Sequence, residues 1–332
     1  MAFEENEISI NSKGGTELSK RSIASFISND VSKEFQVIAS RVRNIEEDKI
    51  RIYWQHDLAE DPEVNHLKNA SSRDRFHKFV FVSNWQLQEY ITKLGFPQDN
   101  KTIIIENPIE PLELVPKVQG KVNLIYFSTP HRGLEILVPV FEELAKKYDH
   151  IHLNVFSSFK IYGWEEMDKN YEPLYERIRN HPQMTYHGFV EQSVLRSYIQ
   201  QSHILAYPSI WKETSCRVLI ESMSAGLLCV HPNLAALPET SGGLTSMYQF
   251  LDNVNDHSSS FYQSLEHAIN IANKAETQNY LKYVKAYSDI RFNINKIGTQ
   301  WEHVMRDLIT LYPTQESRKI SSTNSNFFVY KV

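Results

Sequence analysis

The sequence predicts an α/β protein made of two doubly wound, parallel-sheet domains that face one another across a cleft. Short apolar runs alternate with helix-like segments along most of the chain. Runs that are apolar on both faces are what parallel strands need when helices cover the sheet on each side. The alternation occurs in two series, separated by residues 107–120, which hold Pro108, Pro111 and Pro116, show no helical pattern and read as a linker. At 332 residues the chain is long enough for two domains of ordinary size.

The first series opens with a short strand at 8–10 and a helix at 17–26. Strands follow at 35–39, 50–54, 79–82 and 102–105, with a helix at 85–94. The second series predicts strand 122–127, helix 133–148, strand 152–156, helix 171–180, strand 184–186, helix 191–200, strand 204–207 and strand 228–230. Helical patterns continue over 261–275 and 294–311, and Pro313 stops the last of them. The predicted organisation is a first domain over 1–116, a second over 117–290, a helix at 291–312 packing back on the first, and a polar tail over 313–332.

Composition narrows the function. Hydrophobic residues make up 41% and aromatic residues 12%, enough for buried cores. No apolar run is long enough to span a membrane, and the acidic start, Met1 to Glu7, does not resemble a secretory signal. A formal net charge of −5 disfavours a nucleic-acid binder. Cys216 and Cys229 both fall in apolar surroundings, which fits free thiols in a reducing compartment and a cytoplasmic location. The glycine fingerprint of dinucleotide sites and the P-loop are both absent. So are zinc-type Cys/His spacing and the Asp-x-Asp pair that would hold a divalent metal at a diphosphate. No cofactor and no metal are expected.

The residues that remain suggest a polyhydroxyl, phosphorylated ligand. Glu213 lies in a polar loop after strand 204–207 and Pro208-Ser209, and Glu221 lies about two turns into the following helix. In such βαβ units ligands bind at the carboxyl ends of the strands. Each carboxylate there can accept two hydroxyl hydrogen bonds. Gly14 and Gly15 precede a helix whose free N–H groups suit a phosphate, although a plain turn capped by Thr16 is the simpler reading. Arg132 stands at a helix start after strand 122–127, where a guanidinium can grip two phosphate oxygens. His56 closes strand 50–54 and could hydrogen-bond a sugar hydroxyl, act on a proton, or be structural. Gly188, after strand 184–186, allows the backbone to approach a nucleobase edge. Ala235-Ala236 before Pro238-Glu239 would also admit a ligand closely.

Taken in order, these pieces resemble the retaining GT-B glycosyltransferases of family 4. The core of the resemblance is Pro208-Ser209, Glu213, and Glu221-Ser222-Met223-Ser224-Ala225-Gly226, like that family's signature of two glutamates with seven residues between them. Gly14-Gly15, Asn107-Pro108-Ile109 and Gly188-Phe189-Val190 resemble other family elements. The resemblance implies a GT-B fold with a shortened acceptor domain, and a metal-independent hexosyl transfer from a UDP- or GDP-sugar to an acceptor hydroxyl with retention of configuration. It also implies roles. Glu221 would bind the ribose, and Glu213 the donor sugar. Arg132 with Gly15 would hold the diphosphate, and His56 would sit over the sugar.

Departures are also visible. Ser128 to Gly133 contains no lysine, so Arg132 alone supplies charge, and Ala235-Ala236 replaces the family's usual Gly-Gly. The alternatives are a GT-B nucleotide-sugar epimerase and a non-catalytic nucleotide-sugar binding module. The basic stretch from Lys68 to Lys78 suggests an anionic or lipid-linked acceptor with peripheral membrane contact, against the simpler reading of a solvated helix face.

Overall fold

The computed structural model describes residues 14–319. The expected strand at 8–10 and Lys13 lie outside the described residues. The contacts divide the chain into two compact units, one containing residues 14–108 with 292–319 and the other Ile109–Arg291.

In the first unit four parallel strands lie in the order β1 (Phe35–Ala39), β2 (Ile50–Trp54), β3 (Lys78–Phe81), β4 (Thr102–Ile104). The pleat sorts their side chains by alternation. Val37, Ala39, Ile52, Trp54, Val80 and Val82 face one way, into a core shared with α1 (Gly15–Phe26) and α12 (Ile294–Leu311). Ile38, Tyr53, Phe79 and Phe81 face the other way, into a core shared with α4 (Asn84–Leu94). This two-sided burial is why the strands read as unbroken apolar runs. The α12 face is supplied by Ile297, Trp301, Met305 and Leu308, one stripe at helical spacing. Gly298 on the same helix must be glycine, because a Cβ there would come within 2.4 Å of the Phe26 ring. The short helices α2 (Asn29–Ser32), α3 (Ala70–Arg73) and α13 (Gln315–Arg318) complete this unit.

The most deeply buried charge among the described residues of this unit is an arginine. Arg51 on β2 is 1% exposed and donates to the carbonyl oxygens of Arg75 (2.6 Å), Glu46 (2.9 Å), Glu47 (3.1 Å), Lys49 (2.8 Å) and Arg318 (2.6 Å). The basic stretch expected to meet an anionic acceptor is also largely committed to the fold. Arg73 donates to the Leu67 and Lys68 carbonyls, Lys78 donates to the Asn100 carbonyl, and Phe76 and His77 are buried.

The second unit carries six parallel strands in the order β10 (Ser246–Tyr248), β9 (Leu228–Pro232), β8 (Ile204–Ala206), β5 (Val122–Phe127), β6 (Ile151–Phe156), β7 (Met184–Tyr186). Helices α5 (Leu134–Ala145), α6 (Glu172–Arg179), α7 (Gln192–Gln201), α8 (Arg217–Ser224), α9 (Leu237–Ser241), α10 (Val254–Ile271) and α11 (Ala275–Arg291) connect and cover them. Residues after Pro108 belong here: Ile109 and Leu112 are buried, and Leu112 N–H donates to Ser224 Oγ at 2.9 Å.

Several expectations need correction. The helix expected at 261–275 is two helices, α10 beginning earlier at Val254 and α11 running on to Arg291. The first turns of α10 are polar and weak formers, and Asn253 starts the helix by accepting from the N–H groups of Asn255 and Asp256. Strand β10 was not expected, nor were the short 3-10 helices Phe159–Tyr162 and Glu165–Tyr171. Thr16 is not a cap; Gly14 occupies that position and α1 has no side-chain cap.

Candidate functional site

The carboxyl ends of β5 and β8, adjacent strands in the second unit, hold the principal cluster. After β5 the chain makes one tight turn, Pro130–Arg132, and α5 begins at Leu134. Arg132 therefore lies in that turn and not at the helix start. Gly133 between them has φ +105°, and a Cβ there would fall 2.1 Å from the Pro208 carbonyl oxygen. Only glycine lets this turn press against the end of β8, and that closeness brings Arg132 to Glu213.

Arg132 Nη1 donates to Glu213 Oε1 at 2.7 Å, and the Tyr207 hydroxyl donates to the same oxygen at 2.7 Å. Arg132 Nη2 lies 3.5 Å from the Tyr162 hydroxyl. Burial lowers the arginine's pKa, but Glu213, with Tyr162, Tyr207 and Cys216 adding to it, holds the guanidinium above its ordinary value, firmly charged. Burial, then Glu213, pushes the Cys216 thiol upward, so this thiol stays protonated. Burial does the same for Cys229 in the sheet core.

Glu221 is the fifth residue of α8, just over one turn in and shallower than expected. Its Oε1 accepts from Arg217 Nε at 3.0 Å and Nη2 at 2.9 Å. Both glutamates are buried, at 6% and 2% exposure. Each spends Oε1 on its own arginine, and neither Oε2 has a protein partner among the described residues. Further polar atoms at the same strand ends are buried without partners among the described residues: Arg132 Nε, Thr129 Oγ1 and His131 Nδ1. The Thr129 carbonyl accepts from the Tyr126 hydroxyl at 2.8 Å, which fixes the turn.

Aromatic side chains brace the cluster. His131 stacks on Phe159 at 5.3 Å and meets Trp211 edge-on at 5.0 Å. Burial, with Arg132 adding to it, lowers its pKa to about 4, so it is a neutral hydrogen-bonding group. Phe159 and Tyr162 come from the segment after β6, which the Asp168 carboxylate ties together by accepting from Ser158 Oγ (2.5 Å), Phe159 N–H (2.9 Å) and the Tyr175 hydroxyl (3.0 Å).

Gly188 follows β7 in the same unit, with φ +63°. Gly14, Gly15 and His56 belong to the first unit. Gly14 caps α1 and Gly15 is its first residue, with nothing within 4 Å of a Cβ built there. His56 follows β2, with its ring 4.6 Å from that of Trp54. Burial drops its pKa to about 3, so it is neutral at physiological pH.

The structure thus brings Arg132 and Glu213 into contact and ties Glu221 to Arg217. Tyr207, Arg217 and Tyr162 escaped the sequence reading. Arg217 was readable, since it stands four residues before Glu221 on one helix. Tyr207 looked like one more apolar strand residue, and Tyr162 arrives through a segment with no regular pattern.

The two parallel-sheet units have the GT-B fold of glycosyltransferase structures. A glycosyltransferase from Rickettsia africae ESF-5 is similar over 92% of this chain and 84% of its own, with a TM-score of 0.67 at 14% identity. Sucrose-phosphate synthase from Thermosynechococcus elongatus is similar over 89% and 79%, with a TM-score of 0.62 at 14% identity. HepE of Anabaena, solved with UDP and glucose, is similar over 88% and 82%, with a TM-score of 0.60 at 14% identity. Residues 122–270, which contain Arg132, Gly188, Glu213 and Glu221, match the family of glycosyl transferases group 1. No curated protein matches the chain. No helix among the described residues is long and apolar enough to cross a membrane.

Proposed function

We propose that this protein is a retaining, metal-independent glycosyltransferase of the hexosyltransferase type, which moves a sugar from a nucleoside-diphosphate sugar to an acceptor hydroxyl. The observation that carries this reading is the pair of buried glutamates, each anchored through Oε1 and leaving Oε2 without a partner among the described residues. Such carboxylates are pre-oriented acceptors for hydroxyl groups. The group 1 match over residues 122–270 supports the transfer, and the UDP and UDP-glucose complexes of HepE support a UDP-sugar as donor.

In this reading Glu221 takes the ribose hydroxyls, Glu213 the sugar hydroxyls, and the backbone at Gly188 the nucleobase edge. Arg132, charged and with Nε unpartnered among the described residues, binds the diphosphate. Gly14 and Gly15, at the start of α1, present backbone amides of the kind a phosphate takes. The acceptor oxygen bonds to the anomeric carbon from the face that the diphosphate leaves. The carbon–oxygen bond to the diphosphate breaks, its electron pair goes to the phosphate oxygen, and that oxygen takes the acceptor's proton. Arg132 stabilises the charge that develops there without a metal. His56, neutral, is a hydrogen-bonding group of the first unit. Two buried free thiols support a cytoplasmic location.

A thermal-shift screen of UDP, GDP, ADP and their sugars tests this. A ligand at a hundred times its dissociation constant adds about 2.7 kcal/mol of stability. A shift that Arg132→Ala removes supports the site, and no shift with any of these compounds overturns it. Incubation with donor alone separates the epimerase reading: an epimerase yields a new nucleotide sugar, a transferase only slow hydrolysis.

A further inference from the structure

The loop after β9 contains a backbone conformation at odds with its residue. Residues 234–237 form a turn closed by Leu237 N–H donating to the Leu234 carbonyl at 3.1 Å. The second residue, Ala235, has φ +53°, and the third, Ala236, has φ −79° and ψ 0°. These angles suit the mirror-image type II turn, whose second position is normally glycine, because a Cβ there crowds the neighbouring backbone. Among the described residues only Ser40 is another non-glycine with positive φ.

The turn cannot shift to relieve that strain. Asn233 N–H donates to the Tyr248 carbonyl at 2.8 Å, and Asn233 Oδ1 accepts from Phe250 N–H at 2.7 Å. Ala236 and Leu237 are buried completely, while Ala235 is only half-buried, so its methyl group is not needed to fill the core. Ala236 N–H donates to the Glu213 carbonyl at 3.1 Å, which fixes the strained turn directly against the residue proposed to hold the sugar. Strain that its surroundings hold in place beside a ligand group is a sign of function.

We propose that the Ala235 methyl group is a specificity element of the donor site. It narrows the space beside Glu213 and rejects hexoses that carry a group larger than hydroxyl, such as an acetamido, on the side facing the turn. This rests on the nucleotide-sugar reading above.

The test is Ala235→Gly, with affinities measured by calorimetry for UDP, UDP-glucose, UDP-galactose, UDP-N-acetylglucosamine and UDP-N-acetylgalactosamine. Glycine suits the turn, so the melting temperature should hold or rise and UDP affinity should stay within about twofold. The preference of the native protein for unsubstituted over acetamido sugars should shrink by about tenfold, the discrimination a single methyl group exerts in a tight pocket. An unchanged preference in a variant that still binds UDP overturns the inference and leaves the proposed function standing. A lower melting temperature with unchanged preference also overturns it, since the methyl group would then be packing. A native protein that binds none of the five, and none of GDP, ADP and their sugars, removes both readings.

Discussion

Each unit sets an arginine at its sheet with most of the side chain out of solvent, Arg51 in the first and Arg132 in the second, and the two are treated in opposite ways. Arg51 in the first unit meets five carbonyl oxygens through all three of its nitrogens and no carboxylate. Burial pulls its pKa down to about 10, and it is saturated. Arg132 in the second unit has a carboxylate partner, one long contact to Tyr162, and an Nε with no partner among the described residues. A buried charge with every donor satisfied is part of the scaffold, whereas one with spare donors and a raised pKa is ready for a ligand. Burial alone does not separate the two; the unspent hydrogen bonds do.

That contrast can be broken by mutation. Arg51→Ala strands five carbonyls and should cost on the order of 3–5 kcal/mol in denaturant unfolding, while any folded fraction keeps its nucleotide affinity. Arg132→Ala should do the reverse, weakening nucleoside-diphosphate binding by on the order of 2–5 kcal/mol in calorimetry with a smaller loss of stability. If both substitutions act mainly on stability, the distinction fails. Gly133→Ala should fall between them, losing about 1–3 kcal/mol of stability from the strained φ and also weakening nucleotide binding, because the turn can no longer seat Arg132. Arg217→Gln should be milder. Glu221 loses its anchor, and nucleotide affinity should fall by about 1 kcal/mol, seen as a raised KM with kcat nearly unchanged.

Acid gives a smaller and more distributed test. Burial holds His77 near pKa 3 in the first unit and His203 and His231 near 4 in the second. Their folded pKa values lie below the unfolded one of about 6.5. The unfolded chain therefore takes up protons first, and stability should fall as pH drops from about 6.5 toward 4, at roughly 1 kcal/mol per pH unit for each such histidine. Denaturant midpoints measured across that range check the slope. Asp57 works the other way, since burial, then Asp61, raises it to about 6; the folded chain protonates it first, and it should soften the fall below about pH 6.

Much of this fold could be read from the chain because both sheets are covered on two sides. β1, β2, β5 and β7 and the helix α12 fall at the residues expected from continuous apolar runs and a single apolar stripe. α11 was missed because its face toward the protein is thin, with Leu281, Val284 and Ser288 buried among polar residues. β10 is a three-residue edge, too short to carry a period. In the site, Glu213, Glu221 and Arg132 were legible from spacing and strand ends. Their pairing was not, because the contact between Arg132 and Glu213 depends on Gly133 closing against Pro208, a relation between residues 75 positions apart. The strain at Ala235 is a backbone angle, which residue type does not reveal.

Cys216 gives the site a native reporter. It is sealed and held protonated beside Glu213, so a thiol reagent can reach it only when the loop between β8 and α8 opens. Cys229, in the strand next door, answers only to opening of the sheet itself. The ratio of their labelling rates is therefore a clock for local against global motion, present in the unmodified chain. A ligand that closes around Glu213 would stop one hand of that clock and leave the other running.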